Sequence, residues 1–237
     1  MFAAMPSVPA DVPARARTVA TRLRRAIPEP RCELAHQSAW QLLIATILSA
    51  QSTDATVNKV TPQLFARFPT PLALAEADAA EVEDLVRATG FYRNKTKLIQ
   101  GAARTLLAEF AGEVPRDLGA LMRLPGVARK TGNVVLGVAF GIAAGIVVDT
   151  HVLRVAGRLG FTASDEPGQV ERDLCALFPQ EQWIEMSHRL LLHGRYVCKA
   201  KKPECARCAL RELCPGASDP AEGSWTARAD ATAAELG

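Results

Sequence analysis

The chain has 237 residues, 49% of them hydrophobic, and a net charge of +3. That length supports one large domain or two small ones with a real core, and the mild positive charge permits a nucleic-acid partner without demanding one. The longest apolar run, residues 134–148, holds three glycines and is shorter than the roughly 20 residues of a membrane helix, so no membrane partner is expected.

Residues 1–14 are rich in Ala and Pro, with no charged start followed by an apolar segment, and read as a disordered leader rather than a secretion signal. A cytoplasmic location is the resulting default. A basic helix carrying Arg15, Arg17, Arg22, Arg24 and Arg25 spans 12–27 and stops at Pro28 and Pro30. Ser38 then N-caps a strongly apolar helix over 40–50. After the brief link Gln51-Ser52, Ser52 or Thr53 caps a helix that runs to about Phe68. Pro69 and Pro71 punctuate, and a short helix and then AAEVEDLVRAT follow, closed by Gly90 in a position that suits left-handed backbone. Phe91 and Tyr92 lead into a helix ending near Phe110.

The stretch 118–153 organises the rest. A short amphipathic turn with Leu118, Leu121, Met122 and Leu124 breaks at Pro125-Gly126, and helical periodicity resumes near Val127. A helix, a Pro-Gly hairpin and a second helix place unpaired backbone N–H groups at one helix start, where the dipole favours a phosphate. Lys130 sits in that first turn. Nineteen residues on, the apolar run ends at Asp149, which taken alone reads as the N-cap of the helix over 150–159. Further helices are expected over 168–178 and 182–197, no strand pattern is visible, and the chain reads as all-α. From Pro215 the composition turns to Ala, Ser, Asp, Glu and Gly, and residues 216–237 are expected to be disordered or loosely docked.

Cys32 and Cys175 stand apart and read as small buried hydrophobes. Cys198, Cys205, Cys208 and Cys214 are spaced by six, two and five residues, which in a cytosolic chain signals a metal site. Spacing alone leaves a tetrahedral zinc and a cubane iron–sulfur cluster both open, the wide flanking intervals leaning toward the cluster. Lys199, Lys201, Lys202, Arg207 and Arg211 decorate this loop beside Glu204 and Glu212, as a phosphate-gripping surface or simply a solvated one.

The motifs LLIATILSAQSTDATV (42–57), GFYRNK (90–95), LPGVARKTGNVVL (124–136), VDTHVLRVAGRLG (148–160) and the cysteine loop, in that order, resemble the endonuclease III family of helix-hairpin-helix DNA glycosylases. The resemblance implies two helical domains with a cleft between them. One is a six-helix barrel at 32–143 containing the hairpin. The other is an iron–sulfur domain of 15–31 plus 144–215, and the implied cofactor is a [4Fe–4S] cluster on the four cysteines. It implies Lys130 and Asp149 as catalytic residues, Gln51 filling the gap left by a flipped nucleotide and Phe91 wedging into the opposite strand. Gly126, Val127, Ala128 and Arg129 would hold the backbone, and the family's second hairpin glycine is Ala128 here, a strain if that position needs positive φ. The implied activity is base excision repair: removal of oxidised pyrimidines from duplex DNA and cleavage at abasic sites, by a nucleoid-associated monomer. The alternatives are a monofunctional glycosylase of the mismatch adenine type, which lacks a lysine nucleophile, or a non-enzymatic damaged-DNA-binding protein.

Overall fold

The computed structural model describes residues 11–236. Among these, twelve α-helices and three 3-10 turns occur and no strand, and no helix is long and apolar enough to cross a membrane. The chain divides into two units: Cys32–Ala144, and the two chain ends, up to Arg31 and from Gly145 onward.

The first unit begins with α2 (Ala39–Leu48), whose N-terminus is held reciprocally. Ser38 Oγ accepts from the Gln41 N–H at 3.2 Å, and Gln41 Oε1 accepts from the Gln37 N–H at 2.9 Å. Leu42, Leu43, Ile44 and Leu48 on α2 are fully buried, making it the centre of the core. Around it lie α3 (Asp54–Arg67), α4 (Pro71–Ala75), α5 (Ala79–Val86), α6 (Tyr92–Phe110), α7 (Leu118–Leu121) and α8 (Arg129–Phe140). Leu64, Leu74, Ile99, Leu106, Leu121, Leu124 and Leu136 pack into the same cluster. Thr53, Thr70, Asp78 and Asp117 cap α3, α4, α5 and α7 through their side-chain oxygens, so the helix starts are satisfied locally.

The second unit pairs α1 (Val12–Ala26) with α9 (Thr150–Arg158), α10 (Pro167–Leu177), α11 (Trp183–Tyr196) and α12 (Trp225–Leu236). Its core joins Val19, Leu23, Val152, Val155, Leu174 and Leu190. Two expectations change here. The disordered leader was drawn through residue 14, yet α1 already starts at Val12; residues 1–10 lie outside the described residues. The tail is not disordered throughout either. Helix α12 docks on α1: the Trp225 ring lies 4.8 Å from the Arg22 guanidinium carbon and 5.8 Å from that of Arg25. Arg25 also holds Asp230 with two bonds of 2.6 and 2.7 Å.

Candidate active site and cysteine centre

The break in the central stretch is a type II turn. Pro125 takes its second position and Gly126, at φ +82°, its third, while the Val127 N–H donates to the Leu124 carbonyl at 3.1 Å. A side chain at 126 would be strained, and its Cβ would meet Ile47 Cγ2 at 3.0 Å and Leu98 Cβ at 3.2 Å. Glycine is therefore what lets the hairpin tip seat on α2 and α6. Behind the tip, Gly132 permits α7 and α8 to approach, since a Cβ there would lie 2.6 Å from Leu118 Cδ1.

Ala128 is the N-cap of α8, in extended backbone at φ −87° and ψ 171°. The left-handed strain considered for this position does not arise. Alanine also brings no capping oxygen, and α8 has no side-chain N-cap bond. That leaves the helix start suited to an oxygen anion from outside. Arg129 and Lys130 occupy the first two helical positions, and both are exposed.

Gln51 and Phe91 share a backbone peculiarity with few others. Among the described residues only Gln51, Phe91 and Ala111 are non-glycine residues at positive φ, with Gln51 at +53° and Phe91 at +48°. Each such residue costs on the order of 1–2 kcal/mol, a burden typical of functional corners. Both are exposed, Phe91 at 68% being the most exposed large hydrophobic side chain described. They belong, with the hairpin and Lys130, to Cys32–Ala144.

Asp149 belongs to the other unit. It is indeed an N-cap: Oδ1 accepts from the His151 N–H at 2.9 Å and the Val152 N–H at 2.8 Å. The two bonds fix the carboxylate's direction at the start of α9. Farther along α9, Arg154 donates to the carbonyls of Gly194 at 2.8 Å and Cys198 at 3.1 Å. Arg158 donates to the carbonyl of Lys199 at 2.8 Å and to Cys198 Sγ at 3.3 Å. The aspartate's helix is thus braced to the first cysteine.

Cys198, Cys205, Cys208 and Cys214 line one pocket, together with Val155, Leu159, His193 and Leu210. Among the described residues, no three His, Cys, Asp or Glu side chains converge on a single metal ion. Ligands of one zinc must meet about 2.3 Å from a common centre, whereas cubane ligands bind separate irons. The four cysteines share one pocket, a donor set of the kind that a cluster held on separate irons uses. Burial and repulsion from the other three cysteines push the Cys208 thiol up to about 12, against a bond from the Leu210 N–H to its sulfur. Thiolates gathered there would need a bound cation to hold them. Cys208 Sγ also has His193 Nε2 at 3.7 Å, and burial holds that imidazole down to about 4, so it stays neutral.

Several basic residues of this loop serve the chain itself. Lys199 pairs with Glu204 at 2.5 Å, and Arg207 pairs with Glu204 and with Glu235 of α12. Arg228, only 4% exposed, donates to the Cys208 carbonyl at 2.9 Å and pairs with Glu212. Sequence reasoning did not single out His193, Arg154, Arg158 or Arg228. Only the i,i+4 spacing of Arg154 and Arg158 on one helix face was there to be read.

Comparison with known proteins agrees with this arrangement. The HhH-GPD superfamily of base excision DNA repair proteins matches residues 44–180. Endonuclease III of Synechocystis sp. is 53% identical over 86% of this chain and 93% of its own length. That of Escherichia coli K12 is 44% identical over 83% and 92%. A solved non-covalent endonuclease III–DNA complex superposes with a TM-score of 0.84 at 45% identity, covering 86% of this chain and 96% of that one. A trapped endonuclease III–DNA covalent intermediate gives the same score, identity and coverage. The chain belongs to the endonuclease III family of the helix-hairpin-helix superfamily of base excision DNA repair proteins.

Proposed function

We propose that Lys130 and Asp149 carry the DNA glycosylase and abasic-site lyase activity of this family in the present chain, acting on duplex DNA with oxidised pyrimidines or abasic sites. The observation that supports this most is Lys130 itself. It is an exposed amine on the first turn of α8, behind a hairpin whose uncapped helix start suits a phosphate. A monofunctional glycosylase has no use for a nucleophile there.

A base inside a duplex is out of reach, so it must first leave the stack. Gln51 is suited to fill the space it vacates and Phe91 to wedge into the opposite strand, both being exposed side chains on strained, positive-φ backbone. The neutral Lys130 amine attacks C1′ of the sugar, the glycosidic C–N bond breaks, and the base departs with the electron pair and takes up a proton. Asp149 stabilises positive charge on the sugar as that bond breaks. Loss of the amine proton and ring opening give an imine, which acidifies the C2′ hydrogen. Removal of that proton expels the 3′ phosphate by β-elimination, and water then hydrolyses the imine to free the lysine.

Cys198, Cys205, Cys208 and Cys214 would hold the [4Fe–4S] cluster of the family. The chemistry it would supply there is structural, positive iron offsetting the thiolate charge and tying the loop's four cysteines together.

Borohydride reduction of the imine tests the proposal, using duplex DNA carrying thymine glycol. A covalent protein–DNA band is expected with the natural chain and none with Lys130→Ala. Base release without a band in the natural chain would instead indicate a water-activating glycosylase.

A further inference from the structure

The GFYRNK segment contains a lysine in an unusual place. Lys95 is 3% exposed, on the inward side of the first turn of α6. Lysine is almost never buried so far without a reason, because its ammonium loses hydration and methionine or leucine would pack as well. Burial accordingly holds this ammonium below the ordinary lysine range. Its Nζ donates to the carbonyl of Thr89 at 2.7 Å. Its backbone N–H donates to the carbonyl of Phe91 at 3.0 Å. One residue therefore grips the chain on both sides of the Gly90-Phe91 corner.

That corner is costly to hold. Gly90 at φ +71° and Phe91 at φ +48° are consecutive left-handed residues, and the ring they present is exposed. Thr89 is fixed from the other side as well, its hydroxyl donating to the Val86 carbonyl at 2.8 Å. Of the 3-10 turn over 87–89, the Arg87 carbonyl already accepts from the Gly90 N–H at 3.2 Å, and the Thr89 carbonyl at its end takes the Lys95 ammonium. A charged donor on the last of these carbonyls is a strong bond and a directional one.

We infer that Lys95 is a positioning residue for strand insertion: its side-chain and backbone bonds hold the Thr89–Phe91 corner in the shape that presents Phe91 to the DNA. The inference rests on the wedge role proposed for Phe91. It makes the two residues a single device, with the buried ammonium setting the corner and the aromatic ring acting on the duplex. Loss of the ammonium would let Phe91 relax out of the left-handed region, so insertion would require reordering the corner in each binding event.

Lys95→Met, Phe91→Ala and the double variant test this on duplex DNA with thymine glycol opposite the fluorescent base 2-aminopurine. Fluorescence reports unstacking of the opposing base. Both single variants are expected to lose most of the fluorescence rise and about tenfold in kcat/KM, chiefly through KM, with the double variant no worse than Phe91→Ala alone. If Lys95→Met lowers kcat/KM by the same factor in the Phe91→Ala background as in the natural chain, the lysine acts structurally and the inference is wrong. If Phe91→Ala abolishes the rise while Lys95→Met keeps it, the inference fails and the wedge role stands. If Phe91→Ala changes neither readout, the wedge role fails and the inference goes with it. Should Lys95→Met not fold, Lys95→Gln, a shorter neutral donor, takes its place with the same outcomes.

Discussion

The two units are held together by different physics. In Cys32–Ala144 the largest fully buried side chains are aliphatic, and the helix starts are capped by neighbours a few residues away, while buried Gln100 reaches farther, to the carbonyls of Leu74 at 3.2 Å and Ala77 at 2.8 Å. In the unit of the chain ends, buried Arg189 and Arg228 and half-buried Arg154 do much of the binding. Arg189 donates to the carbonyls of Ile27 and Pro28, Arg228 to that of Cys208, and Arg154 to those of Gly194 and Cys198. The cysteine loop accounts for the bonds to Cys198 and Cys208, whereas Arg189 holds the chain just past the end of α1. Residues 197–224 have little regular helix, so their carbonyls lack intrahelical partners and must find side-chain donors. Arginine brings five N–H groups in one rigid fork. A core of many small contacts degrades gradually, whereas a loop tied by a few multivalent residues fails abruptly.

The sharpest way to break this contrast is to remove a ligand. If the four cysteines hold the proposed cluster, Cys208→Ala should abolish its visible charge-transfer absorbance and lower the thermal midpoint by about 10 °C or more, because cluster binding would be part of the folding free energy of this loop. An unchanged midpoint would show that the arginines suffice alone. Next in size is Arg228→Met, which keeps the apolar stem but strips donors from the Cys208 carbonyl and leaves Glu212 without this partner. A loss of about 2–4 kcal/mol is expected in denaturant titration, with faster release of iron to a chelator. Iron release at the natural rate would confine Arg228 to the docking of α12.

Where the sequence was legible follows the same divide. Ser38, Thr53 and Gly90 announce helix ends through their own local chemistry, and the structure uses each of them that way. Helix α12 has one such signal in Ser224, whose Oγ accepts from the Ala227 N–H at 3.2 Å, but nothing local announces where the helix docks. Its attachment rests on Trp225 between Arg22 and Arg25 and on Arg207 to Glu235, partners that composition cannot pair. Lys95 was hidden for a related reason, since lysine is normally a surface residue and only the fold reveals one turned inward. Asp149 was legible as a cap from its place before α9, while its catalytic role is implied by the family resemblance alone.

The hairpin supplies the smallest effect and a test of the turn geometry. The sequence Pro-Gly-Val-Ala does not say which residue carries the positive φ, and the structure assigns it to Gly126 while Ala128 is extended. An extended position accepts any residue without strain, so restoring glycine there has nothing to relieve. Glycine would instead enlarge the conformational freedom of the unfolded chain. Ala128→Gly is therefore expected to lower stability by about 0.5–1 kcal/mol and to leave the affinity for duplex DNA within about twofold. Urea midpoints and a salt-matched binding titration measure the two effects separately. Markedly tighter binding by the glycine variant would mean that the Ala128 methyl group impedes phosphate approach, and that the hairpin changes conformation when it meets DNA.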